Sequence, residues 1–334
     1  MPAPSSAPMP VRPPGLALAL LAGAWLAGPS AALAQSGDFP DDEVTILVNY
    51  GTGGGVDRAA RSVQPFLPDA LGANVIVENV GGAGGKTGLM KFLDADADGY
   101  TVLAAFAPAT TYVKHTNEGL FTMDDLAVIN VQWTDPAILL AHPDTGWTSL
   151  ADMVEAVRAD PGKYTFGSSG KGSVGPILAR QLFGALELDV KSVPYKGGGA
   201  TRKAFQGGEV DMTAAGAGGA TSLKGEAVVL GAFWSEPLED WPSAEPINEL
   251  LEPYGVEVAE GGAYRFFAAH GSLPETHPER FEALVEAFET TTKSEAFRAA
   301  AAESGVGVEW TGPEEGQAIV ERVDATFTDI LEAE

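Results

Sequence analysis

Val44-Thr-Ile-Leu-Val-Asn-Tyr-Gly-Thr-Gly-Gly-Gly-Val-Asp57 passes from an apolar, β-branched run through a glycine-rich turn into a helical pattern. An unbroken apolar run of this length, ended by a turn, reads as a strand buried on both faces, the habit of parallel sheets. The helical stretch runs from about Asp57 to Leu71, and Pro65 and Pro68 must bend or shorten it. Val75-Ile-Val77 is a second strand, Gly81 to Gly85 a second glycine-rich turn, and Thr87 to Leu93 a second helix. Asp98-Gly99 is a turn before a third strand, Thr101-Val-Leu103. Strand, helix, strand, helix, strand implies a parallel sheet joined by crossover helices.

The same rhythm returns downstream. Ile138-Leu-Leu140, Tyr164-Thr-Phe166, a strand ending at Val193-Pro-Tyr195, Val210-Asp-Met212 and Val228-Val-Leu230 read as strands. Ser149-Leu-Ala-Asp152 resembles a capping box opening a helix toward Ala159. Further helices are expected over 176–185 and from Gly199 to about Gln206. The C-terminal part reads as helical, with Thr276-x-x-Glu279 and Thr311-x-x-Glu314 as capping boxes. No segment with the composition of a disordered linker divides the halves. The economical picture is two α/β lobes sharing one chain.

Residues 1–34 read as an export leader: Arg12, an apolar run from Gly15 to Leu26, and Ala32-Leu-Ala34 as the cleavage site. The run is short for a membrane span, and no later segment is a better candidate. There is no cysteine in the 334 residues. That excludes disulfides, thiol chemistry and a lipid-anchored cleavage-site cysteine. An exported protein held near its membrane without an anchor implies a Gram-negative periplasm. Forty-six acidic against 20 basic residues leave a net charge of −26, which argues against nucleic acid and anionic membrane surfaces as partners.

Four glycine-rich loops lie after strands and before helices: Gly51 to Gly55, Gly81 to Gly85, Gly167-Ser-Ser-Gly-Lys-Gly-Ser173 and Lys196-Gly-Gly-Gly199. At such junctions the first helical N–H groups are unpaired and the dipole end is positive, so an anion can be held there. Cofactor readings fit poorly. A P-loop ending in Gly85-Lys86-Thr87 needs glycine where Val80 stands, and a dinucleotide fingerprint starting at Gly51 needs a small residue where Val56 stands. No cofactor is expected. The four histidines are scattered without metal-ligand spacing, and Gly167-Ser-Ser-Gly170 is not a nucleophile elbow. No catalytic or metal-binding residue is expected.

Ordered matches along nearly the whole chain after the leader then carry a family resemblance. Val44 to Val48 with Gly53-Gly-Gly-Val-Asp57, Val77-Glu-Asn79 with Gly82-Ala-Gly-Gly85, Asp98-Gly-Tyr-Thr101, Gly167 to Ser173, Val193-Pro-Tyr-Lys-Gly197 and Gly207-Gly-Glu-Val-Asp211 resemble, in order, segments of the extracytoplasmic solute-binding proteins of tripartite tricarboxylate transporters, the Bug family. The resemblance implies an α/β, two-lobed type II periplasmic-binding-protein fold with the ligand cleft between lobes. One lobe would take residues 38–138 plus 263–334, the other 139–262. It implies a small di-, tri- or aromatic carboxylate as ligand and large and small transmembrane subunits as partners. A monomer is expected. The sequence departs from the family at Asn49-Tyr50-Gly51-Thr52, where a proline is replaced, and at 213–219, which is unusually small and Gly-rich; the small residues at 214–219 could enlarge the cavity. A sensing subunit for a two-component system is the alternative role, and a periplasmic hydrolase a weaker one.

On this reading, backbone donors face each other across the cleft. One side supplies Tyr50, Thr52, Gly53, Gly54 and Thr110, the other Ser168, Ser169, Gly172, Ser173 and the Tyr195-Lys196-Gly197 loop. Hydrogen bonds to a carboxylate contribute about 1.5–3 kcal/mol each, and micromolar binding needs about 8 kcal/mol. Asp57 either favours the positive end of the first helix, the preferred reading, or accepts from a ligand hydroxyl or ammonium. Tyr195 either bonds the ligand or packs under its loop. Arg265 either clamps a second carboxylate or forms an interlobe ion pair.

Overall fold

The computed structural model describes residues 39–332 except 171. The expected leader and Lys171 lie outside them. The elements are, in order, β1 (Val44–Val48), α1 (Gly55–Val63), α2 (Leu67–Leu71), β2 (Val75–Asn79), α3 (Lys86–Leu93), β3 (Thr101–Ala107), α4 (Ala109–Thr116), β4 (Leu126–Ala141), α5 (Leu150–Ala159), β5 (Thr165–Ser168) and α6 (Val174–Ala185). Then come β6 (Lys191–Pro194), α7 (Gly198–Gln206), β7 (Met212–Gly216), β8 (Val228–Ala232), α8 (Ile247–Leu251), β9 (Gly262–His270), α9 (Leu273–Thr276), α10 (Pro278–Lys293), α11 (Glu295–Ser304) and α12 (Gly312–Glu332). None of the described helices is long and apolar enough to cross a membrane.

The strands run in the order β2-β1-β3-β9-β4-β7-β5-β6, with β8 also paired to β4. β4 is 16 residues long and belongs to both ends of this sheet. Its first part, up to Pro136, pairs with β9, and Ala137 to Ala141 pair with β7 and β8. Two half-sheets therefore share one strand. β1, β2 and β3 are parallel in the first, and β5, β6 and β7 in the second. Alternation along β4 feeds separate cores: Ala137, Leu139 and Ala141 join an apolar cluster that spans both half-sheets, while Ile138 and Leu140 join one confined to the second. β1 does the same, with Leu47 on the shared core and Val44, Ile46 and Val48 on a core of the first half-sheet.

Local chemistry sets several boundaries. The expected 57–71 helix breaks into α1 and α2 around Pro65. Ser149 Oγ accepts from the Asp152 amide, so the capping box of α5 forms. The one expected at Thr276 does not. Thr276 ends α9, and α10 starts at Pro278 behind His277, which gives no side-chain cap; proline at the first position fixes the start instead.

Candidate functional site

Strand register locates the site. β3 and β9 are antiparallel, with Phe106 opposite Arg265 and Ala107 opposite Tyr264, so the carboxyl end of β3 lies at that stretch of β9. β9 sets Arg265 against Trp133 of β4 and Gly262 against Pro136. From the other half-sheet, Gly216 at the carboxyl end of β7 pairs with Ala137 of β4. The carboxyl ends of both half-sheets thus meet along Trp133 to Ala137, the position at which open α/β sheets take ligands.

Four helices start beyond those strand ends. α1 begins after Gly54, α4 after Pro108, α6 after Ser173 and α7 after Gly197, and none of these four cap residues makes a side-chain capping bond. Their first amides have no partner within the helix. The loops differ in how they use theirs. Gly53 has φ +79°, a conformation that favours glycine, and its N–H donates to Asp57 Oδ2 at 2.8 Å. That amide is committed inside the loop, while the helix-start amides after Gly54 have no partner within the helix. Asp57, 3% exposed, also accepts from Arg61 Nε and Asn79 Nδ2, each at 2.9 Å, so its carboxylate braces the loop. These bonds occupy both carboxylate oxygens of Asp57.

The other expected site residues divide into those brought together and those turned aside. Thr52, Gly53 and Gly54 are exposed at the start of α1. Thr110, in the first turn of α4, is 1% exposed and its hydroxyl has no partner among the described residues. The β5–α6 loop approaches the same helix: a Cβ on Gly172 would lie 2.9 Å from the Tyr112 ring. Gly172 of this loop therefore comes close to the α4 turn that holds Thr110. Within that loop the Ser173 amide donates to the Gly170 carbonyl at 3.1 Å and its hydroxyl to the Ser169 carbonyl at 3.3 Å. Tyr195 and Gly197 use their amides on the carbonyls of Ser168 and Tyr195, and the Tyr195 hydroxyl bonds Glu209 Oε2 at 3.3 Å. Lys196 is exposed. Tyr50 donates its hydroxyl to the Gly84 carbonyl at 2.7 Å, and burial raises its pKa. The Gly81 to Gly85 loop thus packs against Asn49 and Tyr50 instead of presenting an open cradle.

Arg265 lies where β9 passes beneath α1. A Cβ on Gly55 would fall 2.4 Å from its Nε and Nη2, so glycine there gives the guanidinium its room. Arg265 Nη2 bonds Asp135 Oδ2 at 3.0 Å, with the two side chains 10% and 1% exposed, and its guanidinium stacks 3.8 Å from the Trp133 ring centroid. Burial lowers its pKa, the Asp135 charge opposes that, and Arg58 adds to it. Asp135 Oδ1 accepts from the Gly218 amide at 2.8 Å. Trp133, Asp135, Arg58, Arg202 and Glu309 were not singled out by the sequence. The signal was a polar Thr134-Asp-Pro136 interruption in an apolar strand. Of the small residues at 214–219, expected to enlarge a cavity, Gly216 and Gly218 border protein groups. A Cβ on Gly216 would lie 2.1 Å from Asp135 Oδ2, and one on Gly218 3.0 Å from the Trp133 ring.

Among the described residues no group of three or more His, Asp or Glu is placed to hold a metal ion. The arrangement offers unpaired amides and guanidinium groups, which suit an anion.

The family model described as tripartite tricarboxylate transporter family receptor matches residues 59–322. A protein of the TAR-I ttuE-ttuC' intergenic region of Agrobacterium vitis is 33% identical over 182 residues, covering 54% of this chain and 53% of that one. The chain thus spans about half the length of the curated relatives it matches. Among solved structures, MatC from Rhodopseudomonas palustris with bound malate superposes with a TM-score of 0.74 at 22% identity, covering 88% of this chain and 100% of that one. A second Rhodopseudomonas palustris protein, with adipate, gives 0.72 at 22% identity over 88% and 97%. Both are likenesses of fold.

Proposed function

Since the chain belongs to the family of tripartite tricarboxylate transporter receptors, we propose that it captures a small carboxylate in the periplasm and hands it to the large and small transmembrane subunits of a transporter. The family is one of receptors, not of enzymes. The observation that carries the reading is the meeting of both sets of strand carboxyl ends at Trp133 to Ala137, with four helix starts opening beside them. We take the two half-sheets as the cores of two lobes, residues 38–138 with 263–334 and residues 139–262.

A carboxylate in the cleft would accept hydrogen bonds from the first amides of α1 on one side and of α4, α6 and α7 around it. The Thr110 hydroxyl, buried without a partner, is a further donor. Excluding water between the lobes strengthens each bond. Four or five such bonds, at about 1.5–3 kcal/mol each, exceed the roughly 8 kcal/mol that micromolar affinity requires. The bound malate and adipate of the two solved relatives are small carboxylates of the same chemical class. Export would remove residues 1–34 near Ala34.

The test is a thermal-shift screen of the purified chain against organic acids, followed by calorimetry on those that raise the melting temperature. At least one carboxylate is expected to bind at micromolar concentration. A screen in which no acid shifts the transition contradicts the assignment.

A further inference from the structure

The floor of the cleft holds more positive charge than the fold needs. Arg265 has its partner in Asp135, through one nitrogen. Its other terminal nitrogen, Nη1, is enclosed and has no hydrogen-bond partner among the described residues, although the residue is 8% exposed. Two further guanidinium groups lie nearby, one over the Trp133 ring that Arg265 also stacks on and one beside Asp135. Arg58 comes from α1 in the first half-sheet, is held by the carbonyls of Ser304 and Gly305, and lies 5.2 Å from the Trp133 ring centroid. Arg202 comes from α7 in the second half-sheet and makes no hydrogen bond or ion pair with another described residue. A Cβ on Gly219 would sit 3.7 Å from Asp135 Oδ2 and 4.0 Å from Arg202 Nη1, so that glycine leaves the space between them open.

Three arginines thus gather around Trp133 and Asp135, in a chain of net charge −26. Like charges drawn together and partly out of water repel one another, and burial together with the Arg58 charge lowers the pKa of Arg202. A structural ion pair does not need the second and third guanidinium groups. A bound anion would relieve the repulsion and complete the hydrogen bonding of Arg265.

We propose that Arg58, Arg202 and Arg265 form an anionic subsite on the cleft floor, so that the ligand carries a second ionised group and a dicarboxylate is selected over a monocarboxylate of equal length. The proposal rests on the receptor reading above. One carboxylate would be held by helix-start amides and the other by guanidinium groups contributed by both half-sheets and by the strand between them. The planar fork of arginine suits that second carboxylate better than lysine would.

The test is calorimetry of the full chain with adipate against hexanoate and succinate against butyrate. The wild-type protein is expected to bind the diacid of each pair at least about tenfold more tightly, the lower value of a charge-assisted hydrogen bond. Arg202→Gln and Arg58→Gln should each reduce the ratio of diacid to monoacid affinity by about tenfold. Arg265 is left intact, because removing it strands the buried Asp135 charge. If a variant does not fold, the wild-type ratio and its salt dependence still decide: diacid binding should weaken more steeply with sodium chloride than monoacid binding. Equal wild-type affinity for diacid and monoacid overturns the subsite and leaves the receptor reading standing. A diacid preference that survives in both folded variants overturns its assignment to these arginines. Failure of all four acids to bind overturns the subsite, and the organic-acid screen then decides the receptor reading separately.

Discussion

Asp57 accepts from the Gly53 amide, Arg61 and Asn79 while almost wholly buried. Asp57→Ala strands the buried donors among them and should cost about 2–3 kcal/mol of stability, read from the urea midpoint. Affinity should fall with it, because the loop that orients the start of α1 loses its brace. Glu309 offers a different lever. Burial raises its carboxyl from 4.5 to about 7, against the opposing hydrogen bond from the Thr134 amide at 2.7 Å, with Asp135 raising it and Arg265 lowering it. The charged form is the one penalised by folding. Its stabilising contribution is therefore complete below pH 4.5 and is lost as pH rises through about 7. Solvent reaching the Glu309 side chain softens the size of that loss. Above the same pH a negative charge enters the arginine cluster, so dicarboxylate affinity should drop between pH 6 and pH 8. Calorimetry at the two pH values checks this, and Glu309→Gln should flatten the profile.

At the scale of elements, β4 explains most of what the sequence did and did not reveal. β1 is the same five residues read from its apolar run, and the break near Pro65 follows from proline geometry. Of β4 only Ile138 to Leu140 was legible, because Asn130, Gln132, Asp135 and Pro136 interrupt the apolar pattern. Those polar groups are satisfied from far along the chain. Asn130 Oδ1 accepts from the Thr311 amide at 2.8 Å, its Nδ2 donates to the Glu309 carbonyl at 3.0 Å, and Gln132 Nε2 reaches the Gly307 carbonyl at 3.1 Å. No local periodicity encodes a partner so distant. The glycine loops of the site were legible for the opposite reason: their chemistry is local. Of the arginine cluster only Arg265 was singled out, since α1, α7 and β9 each supply one member. Asn130→Ala should remove about 2–3 kcal/mol of stability by leaving the Thr311 amide and Glu309 carbonyl unpaired. Faster hydrogen exchange confined to residues 305–311 would be its signature.

For the whole molecule, two half-sheets share an apolar core through β4, so unfolding should be a single transition. A ligand that binds only the folded form, supplied at 100 times its Kd, adds about 2.7 kcal/mol, which for a chain of this size raises Tm by roughly 5 °C. Differential scanning calorimetry with the best acid checks both the single peak and its displacement. The backbone crosses between the half-sheets at Pro136–Ala137 and again on entering β9 at Gly262, and Pro136 and Gly262 are register partners. Two neighbouring crossings define an axle: turning about it deforms only those peptide units, whereas sliding would stretch them. Arg265 and Asp135 lie on the strands that make those crossings, within three residues of them. The loop at Gly172 reaches across to Tyr112. On the receptor reading, a turn about that axle would leave the Arg265–Asp135 pair intact.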